Sequence, residues 1–191
     1  MDPENTLHVA LEAYWTEGIH KMSLNEVCRR AKVSKPGLYR EFGGEDGLMA
    51  TVLTRYAELV LPTWWSLLAS DMKAERVLAD LVDACIGREG YPSGCLVAEM
   101  TLAASALGPQ TTAILSTLCG EIESRLERWV QSAQEAHEIG QSVPPDTAAR
   151  HIASQMVLVA IQARRGREAE HLRAEAELSL RCYTARPLWS A

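Results

Sequence analysis

A chain of 191 residues, 47% hydrophobic and 23% charged, can bury a sizeable core and has the balance of a soluble globular protein. No apolar run is long enough to span a bilayer, and Asp2 and Glu4 stand where a secretory leader would carry basic residues, so the expected compartment is the cytoplasm. The net charge of −6 excludes a uniformly basic nucleic-acid binder but leaves room for a local basic face.

Asp2-Pro3-Glu4 predicts a helix start, with a cap, a proline in the first turn and an acid at the positive end of the dipole. That helix should run to Glu17, stop at Gly18, and bury Leu7, Ala10 or Leu11, and Tyr14. Ser23 and Glu26 form a capping box for a second helix, which buries Leu24, Val27, Cys28 and Ala31. Ala31-Lys32-Val33 makes a tight break, with Val33 plugging between helices. Ser34 caps a third helix that tolerates Pro36 in its first turn and buries Leu38 and Phe42. Lys35, Tyr39 and Arg40 are left pointing outward. The pattern is a helix-turn-helix, which fits a DNA major groove, although capped helical hairpins with no such role are common. Six basic residues, Lys21, Arg29, Arg30, Lys32, Lys35 and Arg40, stand between positions 21 and 40 against one acid, Glu26. This is a basic face inside an acidic chain.

After the Gly43-Gly44 break, a fourth helix starts at Glu45-Asp46 and carries Leu48, Val52, Tyr56 and Leu59 at helical spacing. Pro62 predicts a kink or restart, with a connector over Thr63–Met72. Further helices are expected over Ala74–Arg88, over Cys95–Leu107 as an apolar buried segment, and over Gln110 to about Glu138 with Ile114, Leu115, Leu118, Ile122, Leu126, Trp129 and Val130 inward. The last two run from Asp146 to about Arg164 and from Ala169 to Tyr183. Gly90-Tyr91-Pro92-Ser93-Gly94 and the stretch 140–145 read as loops. The fold class is all-α with about nine helices, divided into a head over residues 1–46 and a body over residues 47–191.

The segment Leu7–Tyr56 resembles the N-terminal DNA-binding domain of TetR-family transcriptional regulators. The resemblance is carried by Ala10-Leu11, Tyr14, Gly18, Ser23-Leu24, Val27, Ala31, Val33-Ser34-Lys35, Gly37-Leu38-Tyr39, Phe42 and Leu48, in unbroken register. It implies that Ser34, Lys35, Pro36, Gly37 and Tyr39 face DNA, with Arg40 placed to read a guanine. It implies a homodimer built from the last two helices and a small-molecule effector whose binding releases a near-palindromic operator. A repressor is the expected role. Two positions depart from the family pattern: Glu41 where His is frequent and Glu45 where Lys is frequent, both acidic at places that would face phosphate.

Ile152, Met156, Val159 and Ala163, and Leu172, Ala176, Ser179 and Tyr183, recur at spacings of four, three and four. Such narrow stripes are expected at a helix–helix seam, and they predict a four-helix dimer interface, with intrachain core as the alternative. An effector pocket lined by Trp64, Trp65, Cys95, Met100, Cys119 and Trp129, poor in fixed charge apart from Glu89 and Glu99, would suit an apolar or electrophilic compound. Cys28, Cys85, Cys95, Cys119 and Cys182 match no metal-ligand spacing and are expected as free thiols. Cys95, preceded by Gly94 at a helix start, is the candidate for a sensor of electrophiles or oxidants. The chain shows no HExxH, phosphate loop or nucleophilic triad, so no enzymatic activity, metal or cofactor is expected. A helical interaction module that does not bind DNA is the remaining alternative, and retention on heparin or a mobility shift separates it from a regulator.

Overall fold

The computed structural model describes residues 2–87, 90–184 and 188. Among them are nine α-helices and no strand: α1 (Pro3–Glu17), α2 (Leu24–Ala31), α3 (Lys35–Phe42), α4 (Glu45–Leu68), α5 (Ala74–Ile86), α6 (Leu96–Leu102), α7 (Pro109–Glu135), α8 (Pro145–Arg164) and α9 (Ala169–Leu180), with a single 3-10 turn over Ala104–Ala106. None of the helices is long and apolar enough to cross a membrane. The chain packs as two compact units, one of Met1–Val60 with Leu96–Leu118, the other of Leu61–Cys95 with Cys119–Ala191.

In the first unit the start of α1 is capped as expected. The Asp2 carboxylate accepts from the Asn5 amide at 3.1 Å, and the helix stops at Gly18 with φ of 95°. Its buried face comprises Leu7, Ala10, Leu11 and Tyr14, joined by Trp15, whose ring meets Tyr56 of α4 edge-on at 4.7 Å between centroids. Only half of the predicted capping box forms. Ser23 Oγ accepts from the Glu26 amide at 3.3 Å, but the Glu26 carboxylate turns to Arg29 and Arg30 instead of reaching back. A charged fork within three and four residues competes better for a carboxylate than a solvent-exposed amide does. Lys32 then takes the left-handed conformation, φ 56° and ψ 42°, which lets the Val33 amide close onto the Cys28 carbonyl at 2.9 Å and ends α2.

The first unit also holds α6 and the beginning of α7. The predicted helix over Cys95–Leu107 is shorter than its apolar run. After seven residues it has buried Leu96, Val97, Ala98 and Met100. The chain then tightens into the 3-10 turn, with Leu102 63% exposed. Beyond it, Asp46 reaches across from the first turn of α4 and caps α7. Its carboxylate accepts from the Gln110 amide at 2.9 Å, the Thr111 amide at 3.0 Å and the Thr111 hydroxyl at 2.7 Å. Gly108 makes room for this, because a Cβ there would stand 2.3 Å from Asp46 Cγ.

Pro62 does not break the chain. Helix α4 runs through it from Glu45 to Leu68, with Pro62 itself exposed while Leu61 and Trp64 bury on either side. The unpaired carbonyl one turn back belongs to exposed Glu58, where water can satisfy it, and burial of the flanking side chains holds the helix together. The expected connector therefore belongs to α4 as far as Leu68.

In the second unit α5 packs on both α8 and α9. It buries Val77, Leu78, Leu81, Val82 and Cys85, the residues its periodicity marks, and the Arg173 to Asp83 ion pair at 2.7 Å ties α9 to it. It ends at Ile86; the predicted end at Arg88, and Glu89, lie outside the described residues. The Glu138 carboxylate caps α5 by accepting from the Ala74 amide at 2.9 Å and is held by Lys73 at 2.6 Å. Buried Gln134 donates to the carbonyls of Gly140 and Val143 and so folds the α7–α8 loop back onto α7.

The stripes expected at a subunit seam are intrachain core. Ile152, Met156, Val159, Ala163, Leu172, Ala176 and Tyr183 are all buried within the single chain, and Ser179 is half-buried. The reason is α5, whose apolar face covers the same sides of α8 and α9, a packing that periodicity along either helix cannot reveal.

Candidate nucleic-acid interface and effector groove

Helix α3 separates into two faces. Gly37 and Leu38 are buried and Phe42 is half-buried. Ser34, Lys35, Pro36, Tyr39, Arg40 and Glu41 are exposed. Ser34 Oγ is already engaged, accepting from the Gly37 amide at 3.2 Å, so it acts as the helix cap. Gly37 lies on the buried side of α3 with Leu38. The structure thus brings Lys35, Tyr39 and Arg40 together on one open face.

Tyr39 is 49% exposed, and its ring lies across the turn that follows. A Cβ on Gly44, whose φ is 120°, would sit 3.2 Å from Tyr39 Cε1. Gly43 therefore ends the helix, and Gly44 leaves room for the Tyr39 ring beside the turn.

The six basic residues are not equivalent. Arg29 forks onto Glu26 at 2.6 Å, and Arg30 pairs with both Glu26 and Glu17. Hydrogen bonds from Arg29 and then Arg30 draw the Glu26 carboxyl down to about 2, so this cluster stays internally neutralised at any physiological pH. Among the described residues Lys32, Lys35 and Arg40 make no ion pair. The free positive charge is therefore concentrated at the turn and on the outer side of α3, with Lys21 nearby in sequence. Exposed Glu41 and Glu45 stand beside it and weaken the local field.

Residues 7–52 match the family model for bacterial regulatory proteins of the tetR family. The match covers the helix-turn-helix head of the chain. The chain's fold is shared over nearly the whole length with solved structures. Escherichia coli NemR in its reduced form is 19% identical, covering 96% of this chain and 97% of that one at a TM-score of 0.78. A cysteine-substituted CifR bound to 26-bp double-strand operator DNA is 23% identical, covering 96% and 97% at 0.78. The regulatory protein TetR from Rhodobacter sphaeroides is 17% identical, covering 95% and 98% at 0.79. No curated protein sequence matches this one.

Within the second unit a groove of about 560 Å³ runs between the end of α4 and the second half of α7. Two of the residues expected around an effector, Trp65 and Trp129, line it. The others are elsewhere. Trp64 is in the core, Met100 is fully buried in the first unit, and Cys95 and Cys119 are half-buried away from the lining. The groove is also richer in charge than expected, with Arg125, Arg128, Asp71 and Glu138 on its walls. A signal for the two arginines was present: 125, 128, 129 and 132 share one face of a helix, so any groove reached by Trp129 is reached by them. Cys85 is fully buried, and burial together with the neighbouring Cys95 thiol pushes it well above the ordinary thiol range, which makes it unreactive.

Proposed function

We propose that the chain is a dimeric repressor that holds a near-palindromic operator through the outer face of α3 and leaves it when a small molecule occupies the body. The observation that carries this reading is the sorting of charge on the head. Arg29 and Arg30 are neutralised within the protein, while Lys35 and Arg40 flank an outward Tyr39 with no acid paired to them. Lys35 and the Tyr39 hydroxyl are assigned to phosphate, and Arg40 to a base edge. Ser34 and Gly37 act one step back, as the cap that sets the start of α3, with Pro36 fixing its first turn.

Dimerisation is assigned to the outer sides of α8 and α9. Leu158 is 48% exposed and Leu178 81% exposed, both on the sides turned away from α5. Two-fold pairing there would give the protein two copies of α3, as a near-palindromic operator requires. Helices α4 and α7, which contribute residues to both units, are the elements through which occupancy of the body would reach the head.

Selection of bound genomic fragments tests the reading. A shared inverted motif is expected, and recovery of none would reject it. With that motif in hand, Arg40→Ala should relax preference at one base pair by about 1–3 kcal/mol. Lys35→Ala should weaken all sequences alike and flatten the salt dependence. Unchanged preference in Arg40→Ala removes Arg40 from the base-reading set.

A second reading, a thiol sensor at Cys95, is favoured by its position. Cys95 is half-exposed immediately before α6, in contrast to its fully buried neighbour Cys85. Dilute maleimide on the native protein should label Cys95 well ahead of Cys85, read by mass mapping. A Cys95→Ser protein that still releases operator on electrophile treatment would dismiss the sensor.

A further inference from the structure

The groove of the second unit has a specific chemical make-up. On one wall the Arg125 guanidinium lies over the Trp65 ring, 4.2 Å from its centroid. One turn along α7, Arg128 and Trp129 face the same space. The two arginines differ in how their charge is met. Arg125 is paired with Glu121 at 2.9 Å. Arg128 donates only to the Ser124 carbonyl on its own helix, at 3.3 Å, and among the described residues no carboxylate pairs with it. Of the two acids on the lining, Glu138 is already spent on Lys73 and the Ala74 amide, and Asp71 stands exposed beyond the end of α4. What remains for a ligand is one uncompensated guanidinium beside two indoles and the small apolar side chains Ala133 and Ala136.

We infer that this groove takes an organic anion with a flat apolar body. Its carboxylate or sulfonate pairs with Arg128, and its ring lies against Trp65 and Trp129. Guanidinium recognises carboxylate by a forked, charge-assisted hydrogen bond, and indole faces supply the apolar contact. A cation meets two guanidiniums, and a neutral hydrocarbon leaves Arg128 without a partner, so both are disfavoured. A volume of about 560 Å³ accommodates a ligand of two or three fused rings. The inference rests on the effector reading above and names the chemical class of that effector. It also replaces the charge-poor pocket expected from the sequence.

The test uses the full chain, with 2-naphthoate and its neutral isostere 2-naphthamide as probes, titrated calorimetrically at low and high salt. Naphthoate should bind about tenfold or more tighter than the amide at low salt, and the gap should narrow as salt rises. Arg128→Gln should abolish the gap while leaving the amide unchanged; Arg128 is exposed, so this variant keeps its fold. Equal affinities, or naphthoate binding that survives Arg128→Gln, would overturn the inference. Operator release is read separately. Naphthoate that binds through Arg128 without releasing DNA upholds the ligand class and counts against the effector reading alone. Release that does not depend on Arg128 counts against the groove.

Discussion

Leu178→Arg combined with Leu158→Arg is expected to turn the protein into a folded monomer and to weaken operator binding by more than about a hundredfold. Both leucines lie outside the core that α5, α8 and α9 share, so their replacement leaves that core intact. Burying a leucine against a partner contributes about 1.5–3 kcal/mol, and a two-fold seam buries each one twice. Four arginines facing one another would add repulsion to that loss. The effect on DNA is larger than the effect on either half-site contact, because a dimer presents its second head at high effective concentration, worth about 10²–10⁴ in overall affinity. Sedimentation velocity, circular dichroism and a mobility shift on the selected operator read the three consequences. A double variant that still sediments as a dimer would take the seam elsewhere. Met156→Arg makes the contrast: Met156 is 2% exposed inside the chain's own core, so this change is expected to unfold the protein and not merely to separate subunits.

Asp46→Ala is expected to lower stability by about 1–2 kcal/mol, through loss of the cap on α7, while the buried Thr111 hydroxyl keeps the Asp46 backbone carbonyl as acceptor. Asp46→Asn, which keeps one acceptor oxygen, should cost less. The contribution depends on pH with a definite sign. Burial alone would raise the Asp46 carboxyl, but the hydrogen bonds from Thr111 and Gln110 prevail and hold it below its ordinary value of 3.8. A carboxyl lowered in the folded state stabilises fully above the unfolded value and loses that contribution as pH falls through the folded one. The difference in melting temperature between the natural protein and Asp46→Ala should therefore be constant from pH 5 to 8, by this linkage, and shrink below about pH 4. A difference that is flat down to about pH 3 would show that Asp46 acts by packing and not by charge. Gly108→Ala should reproduce the loss, since its methyl group would occupy the place of the Asp46 carboxylate.

Most helix starts and stops, and the outward placement of Lys35, Tyr39 and Arg40, were legible in the residues around them. Ser23, Ser34 and Asp2 cap where they stand, Gly18 and Gly43 end helices where they stand, and Lys35, Tyr39 and Arg40 face out because Leu38 and Phe42 must face in. These are local effects, decided within a turn or two of chain by amides that need partners and by a period of 3.6. The family resemblance over residues 7–52 lay in the same local register.

The rest depends on which surfaces meet, and no local pattern carries that information. The stripes of α8 and α9 look the same whether α5 or a second subunit covers them, so Ile152 and Met156 could be assigned to the core only once α5 was seen to lie there. Pro62 forbids one hydrogen bond, but whether a helix breaks there depends on the burial available to Leu61 and Trp64. Arg29 and Arg30 counted as free charge in the sequence until Glu17, thirteen residues from Arg30, and Glu26 were found paired with them. Asp46 reads as an ordinary first-turn acid of α4, and only folding brings it to the unpaired amides of α7, more than sixty residues away. Arg125 and Arg128 form the wall of a groove only because the end of α4 sets Trp65 against that face of α7.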